Sequence, residues 1–239
     1  MSITIKNFNN KRYASHAALE SENNFFLDKV YLFKTAREID KVFAKTNAKI
    51  LEIGCADGSF SKLLMKRGYN VVGIDIAEEA VKAACVNGVE AQVMNVEEGL
   101  GFNDETFDAV IACEVIEHLY DTDFFIKEIL RVLKKGGYIF LSTPNLASLQ
   151  NRLLLMLGRY PKYSEYKIDD SSAGHIRNYT TRIIAKQLND NGATVERIMA
   201  PNFWCPMTKN LPQIIKNIAI KLGDVFYNIG SHMVVVAKK

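Results

Sequence analysis

The chain has 239 residues, 48% of them hydrophobic and 24% charged, with a formal net charge of +3. That length fits one large domain, or a domain with an insert, and buries a substantial core. The 30 Lys and Arg residues are scattered rather than clustered, so charge gives no ground for expecting a nucleic-acid partner.

The first residues, MSITIKNFNNKRYASH, lack the apolar core of a signal peptide. No apolar run approaches the ~18 residues of a membrane span. A cytoplasmic location is therefore expected. The four cysteines, Cys55, Cys85, Cys113 and Cys205, are too far apart in sequence to suggest a zinc knuckle or a redox pair, and reduced thiols are expected.

Residues 24–45 place Phe26, Val30, Phe33, Ala36, Ile39 and Phe43 at helical spacing, which predicts an amphipathic helix. Strand-like and helix-like runs then alternate. KILEIG (49–54) is a strand, and SFSKLLMKRG a helix closed by Gly68. NVVGID (70–75) is a strand, and EEAVKAACVNG a helix closed by Gly88. VEAQVMNV and FDAVIACEV are the third and fourth strands. DTDFFIKEILRVLKKGG reads as a helix capped by Asp121 and ended by its glycines, followed by YIFLSTP as the fifth strand. The rhythm breaks at residues 145–175, which hold an apolar helix and a tyrosine-rich polar loop. A helix at TTRIIAKQLNDNG, a strand at ATVERIMA, a helical insertion over 207–229 and a final strand at SHMVVVAK follow. Within that insertion Leu211, Ile214, Ile218, Leu222, Val225 and Ile229 form one stripe, expected to pack against protein. Contact with a membrane surface is the alternative.

Alternation of this kind predicts βαβ units and a parallel sheet, with ligands beyond the carboxyl ends of the strands. The expected organisation is a helical cap (1–47), a cofactor-binding core (48–144), a covering insert (145–175) and the second half of the sheet (176–239).

ILEIGCADGSF is the strongest motif. A strand ends near Glu52, and Gly54 and Gly58 let the backbone turn sharply before a helix. The absence of a Lys-Ser/Thr pair excludes a phosphate-cradling loop. Asp75 ends the next strand, where an acid can accept hydrogen bonds from ribose hydroxyls. Together with NVEEGLGFNDETFDAVIACEVIEHLYD and EILRVLKKGGYIFLSTPN, these segments resemble the class I S-adenosylmethionine-dependent methyltransferases over residues 49–145. EVIEHL, STPN and GHIRNYT resemble a subgroup: ubiquinone-pathway O-methyltransferases, sugar and glycan methyltransferases, and the small-RNA terminal 2′-O-methyltransferases.

The resemblance implies a Rossmann-like α/β fold, a seven-stranded, mostly parallel sheet with the last strand antiparallel and helices on both faces. It implies S-adenosylmethionine as donor and S-adenosylhomocysteine as product. Cofactor contacts are expected at Glu52, Gly54, Cys55, Ala56, Gly58, Asp75, Ile76, Asn95, Val96, Cys113 and Glu114. Ala56 stands where the family often has glycine. Asn95 stands where it usually has an acid, and its carbonyl can accept from the adenine amino group. Cys55 is expected to offer its backbone, and Asp57 is either a ligand contact or a helix cap.

Glu114, Glu117 and His118 would share a face if a helical turn forms. We expect His118 and His175 to face the acceptor, one as general base, with Glu114 and Glu117 orienting it or the cofactor. A divalent metal on Glu114, Glu117, His118 and His175 is the second-ranked alternative. The acceptor is expected to be an oxygen of a small molecule or sugar. RNA 3′-terminal 2′-O-methylation, or cofactor binding without catalysis, are the rival functions.

Overall fold

The described residues of the computed structural model are 30–44, 46–167, 174–201, 218 and 221–239. Seven strands pair in the order β3-β2-β1-β4-β5-β7-β6. They are β1 (Lys49–Ile53), β2 (Asn70–Asp75), β3 (Glu90–Val93), β4 (Phe107–Cys113), β5 (Leu133–Pro144), β6 (Thr194–Met199) and β7 (His232–Lys238). β1 to β5 run parallel, and β7 is antiparallel to both its neighbours, β5 and β6. The expected architecture is present.

The central strands are apolar throughout because helices cover both faces of the sheet. On one face Ile50, Val71, Ala109, Ile111, Phe140 and Val234 pack against Ala36 and Ile39 of α1 (Val30–Phe43) and Phe60 and Leu64 of α2 (Ser59–Lys66). Leu51, Val72, Val110, Ile139 and Val235 point to the other face. They meet Phe125, Ile126 and Ile129 of α4 (Thr122–Val132) and Ile184 and Leu188 of α6 (Thr181–Asp190). α3 (Glu78–Val86) covers the β2–β3 edge, where Ala84 meets Cys55 and Val89.

Capping residues set the helix starts. Asp121 accepts from the Phe124 amide at 2.9 Å, as expected, and Thr180 accepts from Ile183 at 3.4 Å. Gly58 stands at the cap position of α2 without a side-chain cap, and Asp57 before it takes the Ser59 amide at 3.0 Å. α1 is tied down by Lys34, whose buried ammonium donates to the Ala200 carbonyl at 2.6 Å and pairs with Asp224 at 2.5 Å.

The fourth helix is shorter than expected. It ends at Val132, and LKKGG is the start of β5. Gly137 does not cap a helix; it lets two backbones approach. A Cβ there would lie 2.9 Å from the Lys134 carbonyl oxygen and 3.1 Å from that of Asp108. The third strand is also shorter, because Asn95 caps a 3₁₀ turn at Val96–Glu98.

The insert begins with α5 (Leu149–Met156) and continues to residue 167; residues 168–173 lie outside the description. Phe26 of the first predicted helix, and Leu211 and Ile214 of the apolar stripe, also lie outside the described residues. Of that stripe, Ile218 and Val225 are exposed and Leu222 is half-buried. No helix among the described residues is long and apolar enough to cross a membrane.

Because the Lys134 and Asp108 carbonyl oxygens cannot swing aside, Gly137→Ala should destabilise the fold by about 1–3 kcal/mol. A shift in the urea midpoint at unchanged slope would measure this.

Candidate active site

Two groups of residues meet at the carboxyl edge of the parallel strands. The first surrounds the β1–α2 turn. Gly54 adopts φ +75°, and a Cβ there would lie 2.8 Å from Val115 Cγ2, so only glycine allows the β4 loop to close on this turn. Ala56 also has positive φ, 48°, a conformation that glycine takes without strain. The methyl is accommodated because Asp75 holds the loop: its Oδ2 accepts from Ala56 N at 3.0 Å and its Oδ1 from Ala77 N at 2.9 Å. A carboxylate has about four lone-pair positions, so Asp75 keeps capacity for ribose hydroxyls. Burial raises its pKa against the pull of these amides. Asp75 and Ile76 are half-buried.

Cys55 is expected to offer its backbone, and its amide is already engaged within the sheet. That amide, like Gly54's, donates to the Ile74 carbonyl, at 3.0 and 2.8 Å. Its thiol is buried, and burial pushes its pKa well above the ordinary thiol value, so it is no nucleophile. Glu52 is buried rather than at the open surface of the turn, and accepts from the Ser61 hydroxyl. Burial raises its pKa to about 8. Asn95 uses its Oδ1 to accept from Glu97 N at 3.2 Å and its Nδ2 to donate to Glu98 at 2.8 Å, so only the second lone pair of Oδ1 is left for an adenine. Val96 beside it is buried.

The second group follows β4. Cys113 is half-buried, and burial raises its thiol pKa to about 12. Glu114 then takes φ +57°, and only Ile116–His118 forms a 3₁₀ turn. The expected common face of Glu114, Glu117 and His118 is therefore not formed, because the left-handed residue redirects the chain before the turn begins. Glu117, His118 and His175 do come together: one ligand atom from each lies within 4.8 Å of the others. Glu117 Oε2 accepts from Thr143 at 3.1 Å, and its Oε1 lies 3.9 Å from His175 Nε2. The Nδ1 atoms of both imidazoles face backbone carbonyls of the insert and its return, His118 to Gly174 at 2.9 Å and His175 to Tyr163 at 2.8 Å. A carbonyl only accepts, so Nδ1 carries the proton in each ring and Nε2 is the basic nitrogen. Three such donors can share a proton or hold a divalent ion.

Glu114 is absent from that cluster. Its Oε1 accepts from Ser142 at 2.8 Å, and its Oε2 faces His232 Nε2 at 3.5 Å. Sequence reading missed His232, and with it Tyr31 and Tyr163, whose rings lie 5.9 and 4.9 Å from its own. A lone histidine at the start of a last strand carries no local signal; only the β5–β7 pairing, with Pro144 opposite His232, places it here.

Residues 51–141 match the family described as "Methyltransferase domain". The mitochondrial ubiquinone biosynthesis O-methyltransferase of Rattus norvegicus is 37% identical over 123 residues, 48% of this chain and 36% of that protein. The ubiquinone biosynthesis O-methyltransferase of Xanthomonas oryzae pv. oryzae is 38% identical over 104 residues, 41% of this chain and 44% of that protein. The aligned segment thus spans less than half of these relatives' length. Among solved structures, an S-adenosylmethionine-dependent methyltransferase of Thermotoga maritima superposes with a TM-score of 0.67 at 18% identity, covering 100% of both chains. One from Methanosarcina mazei gives 0.60 at 23% identity, covering 84% of this chain and 96% of that one. The fold is that of the class I S-adenosylmethionine-dependent methyltransferases. Over the aligned segment, the sequence resembles the ubiquinone biosynthesis O-methyltransferases. Fold alone does not fix chemistry: a [4+2]-cyclase also superposes, with a TM-score of 0.58.

Glu52 ionises in the usual carboxylate range in the unfolded chain but only near pH 8 in the folded one. The folded state therefore loses stability as pH rises between those limits. Glu52→Gln should remove this decline, so that the variant gains on the wild type by ~1 kcal/mol or more between pH 5 and pH 8. Urea denaturation at both pH values would show it; parallel trends would mean that Glu52 is ionised in the fold.

Proposed function

We propose that this chain transfers the methyl group of S-adenosylmethionine to an oxygen of a small-molecule acceptor. The observation that carries the reading is the convergence, at one sheet edge, of the Gly54–Gly58 turn locked to Asp75 with the acid–imidazole group that follows β4. The first supplies a nucleoside-binding platform. The second supplies proton-accepting groups where an acceptor would meet the donor's methyl. Transfer from a sulfonium is an in-line displacement, so positioning carries most of the rate. A hydroxyl also needs its proton removed, which a neutral amine does not. The O-methylation named for the relatives above supports an oxygen acceptor.

In this reading Asp75 holds the ribose, Asn95 and Val96 border the adenine, and Cys113 and Glu114 border the methyl-bearing end. Of Glu117, His118 and His175, the half-buried His118 meets the acceptor oxygen and the two buried groups orient it. Their donor atoms, within 4.8 Å of one another, also favour a second reading, in which the same three hold a divalent ion.

Calorimetry should detect S-adenosylhomocysteine binding, and Asp75→Ala should weaken it by about 1–3 kcal/mol. Unchanged affinity would remove Asp75 from the ribose site. Chelation followed by return of magnesium, manganese or zinc separates the two readings of the imidazole cluster. Turnover lost and restored by metal would assign it a cation; turnover indifferent to chelator would leave it hydrogen-bonding and proton chemistry.

A further inference from the structure

Two members of the imidazole cluster scarcely reach solvent at the β4 edge, and only His118 is half-buried. The side chains of Glu117 and His175 are 1% and 8% exposed, whereas those of Glu114 and His232 are 22% and 18% exposed. The second pair is open enough for a small hydroxyl compound to touch.

Three chain segments and its own neighbour, Ser231, hold His232. Tyr31 from α1 stacks on its ring, with centroids 5.9 Å apart and planes at 17°. Tyr163 from the insert meets it edge-on at 4.9 Å and 63°. Glu114 approaches Nε2 from the end of β4, and the Ser231 hydroxyl lies 3.1 Å from Nδ1. These are the titratable and hydroxyl groups that face it among the described residues. Burial, and then the charge of Glu114, raises the Tyr163 pKa, so the tyrosine stays neutral beside the pair. The Nε2–carboxylate separation of 3.5 Å is too long for a good hydrogen bond. It leaves both groups able to engage a third oxygen. Ser231 can donate or accept, so His232 can take either tautomer or carry both protons. The carbonyls facing His118 and His175 allow Nδ1 no such freedom. Glu114 itself sits at φ +57°, a strained conformation of the kind found at functional sites.

We propose that His232, oriented by Glu114, Tyr31 and Tyr163, is the group that accepts the proton of the hydroxyl being methylated. This role rests on the oxygen-acceptor reading above. As the acceptor oxygen bonds the methyl carbon, the C–S bond breaks and its electron pair stays on sulfur, which becomes a neutral thioether. The hydroxyl proton passes to His232 Nε2. The resulting imidazolium is stabilised by the Glu114 carboxylate until it gives the proton to water.

The test uses the full chain with S-adenosylhomocysteine for binding affinity, and with labelled S-adenosylmethionine plus catechol or glucose for turnover. Glu114→Gln, which keeps the side chain's size and removes the carboxylate, should cut kcat by ~10-fold or more while S-adenosylhomocysteine affinity is kept. His232→Gln should cut kcat by ~10²–10⁴-fold and flatten its rise with pH, while S-adenosylhomocysteine affinity is kept. An unchanged kcat in Glu114→Gln overturns the pairing. Turnover and pH rise retained in His232→Gln overturn the role of His232 alone. If the product binds but no oxygen of catechol or glucose is methylated by the wild type, the oxygen-acceptor reading fails and the role falls with it.

Discussion

The left-handed turn at Glu114 is the constraint on which the rest of the site depends. β4 is buried between β1 and β5 and cannot continue past the sheet edge without exposing an apolar run. At Glu114 the chain makes one more ladder bond, its amide to the Ser142 carbonyl at 2.9 Å, and then reverses with φ +57°. Such a conformation costs a non-glycine residue roughly 1–2 kcal/mol. Burial of Ile116, with no exposed surface, and the seat of Val115 against Gly54 offset it. The reversal aims Glu114 at Ser142 and β7, and sends Glu117 and His118 towards the insert. An extended residue there would merge the two acid–imidazole groups or lose both.

A second feature follows from the same edge. Glu52, Asp75, Glu114 and Glu117 come from three strand ends. Burial, as the largest cause, raises the pKa of the first two. Acids gathered in low dielectric without a fixed cation are costly, and a positively charged ligand relieves that cost. A sulfonium donor that also carries an ammonium group fits this requirement, as a phosphate-rich dinucleotide would not.

The alternating sheet and helices were legible because both periodicities are strong and the central strands are continuously apolar. β2 matches its expected bounds, and β1 ends one residue short of them. What misled was punctuation: the glycines of LKKGG read as a helix end, yet Gly137 serves the close approach of Lys134 and Asp108, which no local pattern encodes. The Gly54–Gly58 turn and Asp75 were readable because they lie within one βαβ unit. The acceptor side joins β4, the insert and β7. Glu117, His118 and His175 came from motif resemblance, whereas the Glu114–His232 pair needed the strand order.

That difference has a topological cause. Parallel strands deliver their last residues to the site edge, so their functional groups follow apolar runs and announce themselves, as in IACEVIEH. β7 runs the other way, and its first residue, His232, is the one delivered there. The methyltransferase-domain match ends at residue 141, before Thr143, Tyr163, His175 and His232. The Gly54–Gly58 turn, Asp75, Glu114, Glu117 and His118 lie within that match, and the residues that complete both acid–imidazole groups come from segments beyond it. Acceptor choice should follow those segments: an insert pinned by His118 and His175, and one antiparallel strand start clamped by Tyr31 and Tyr163.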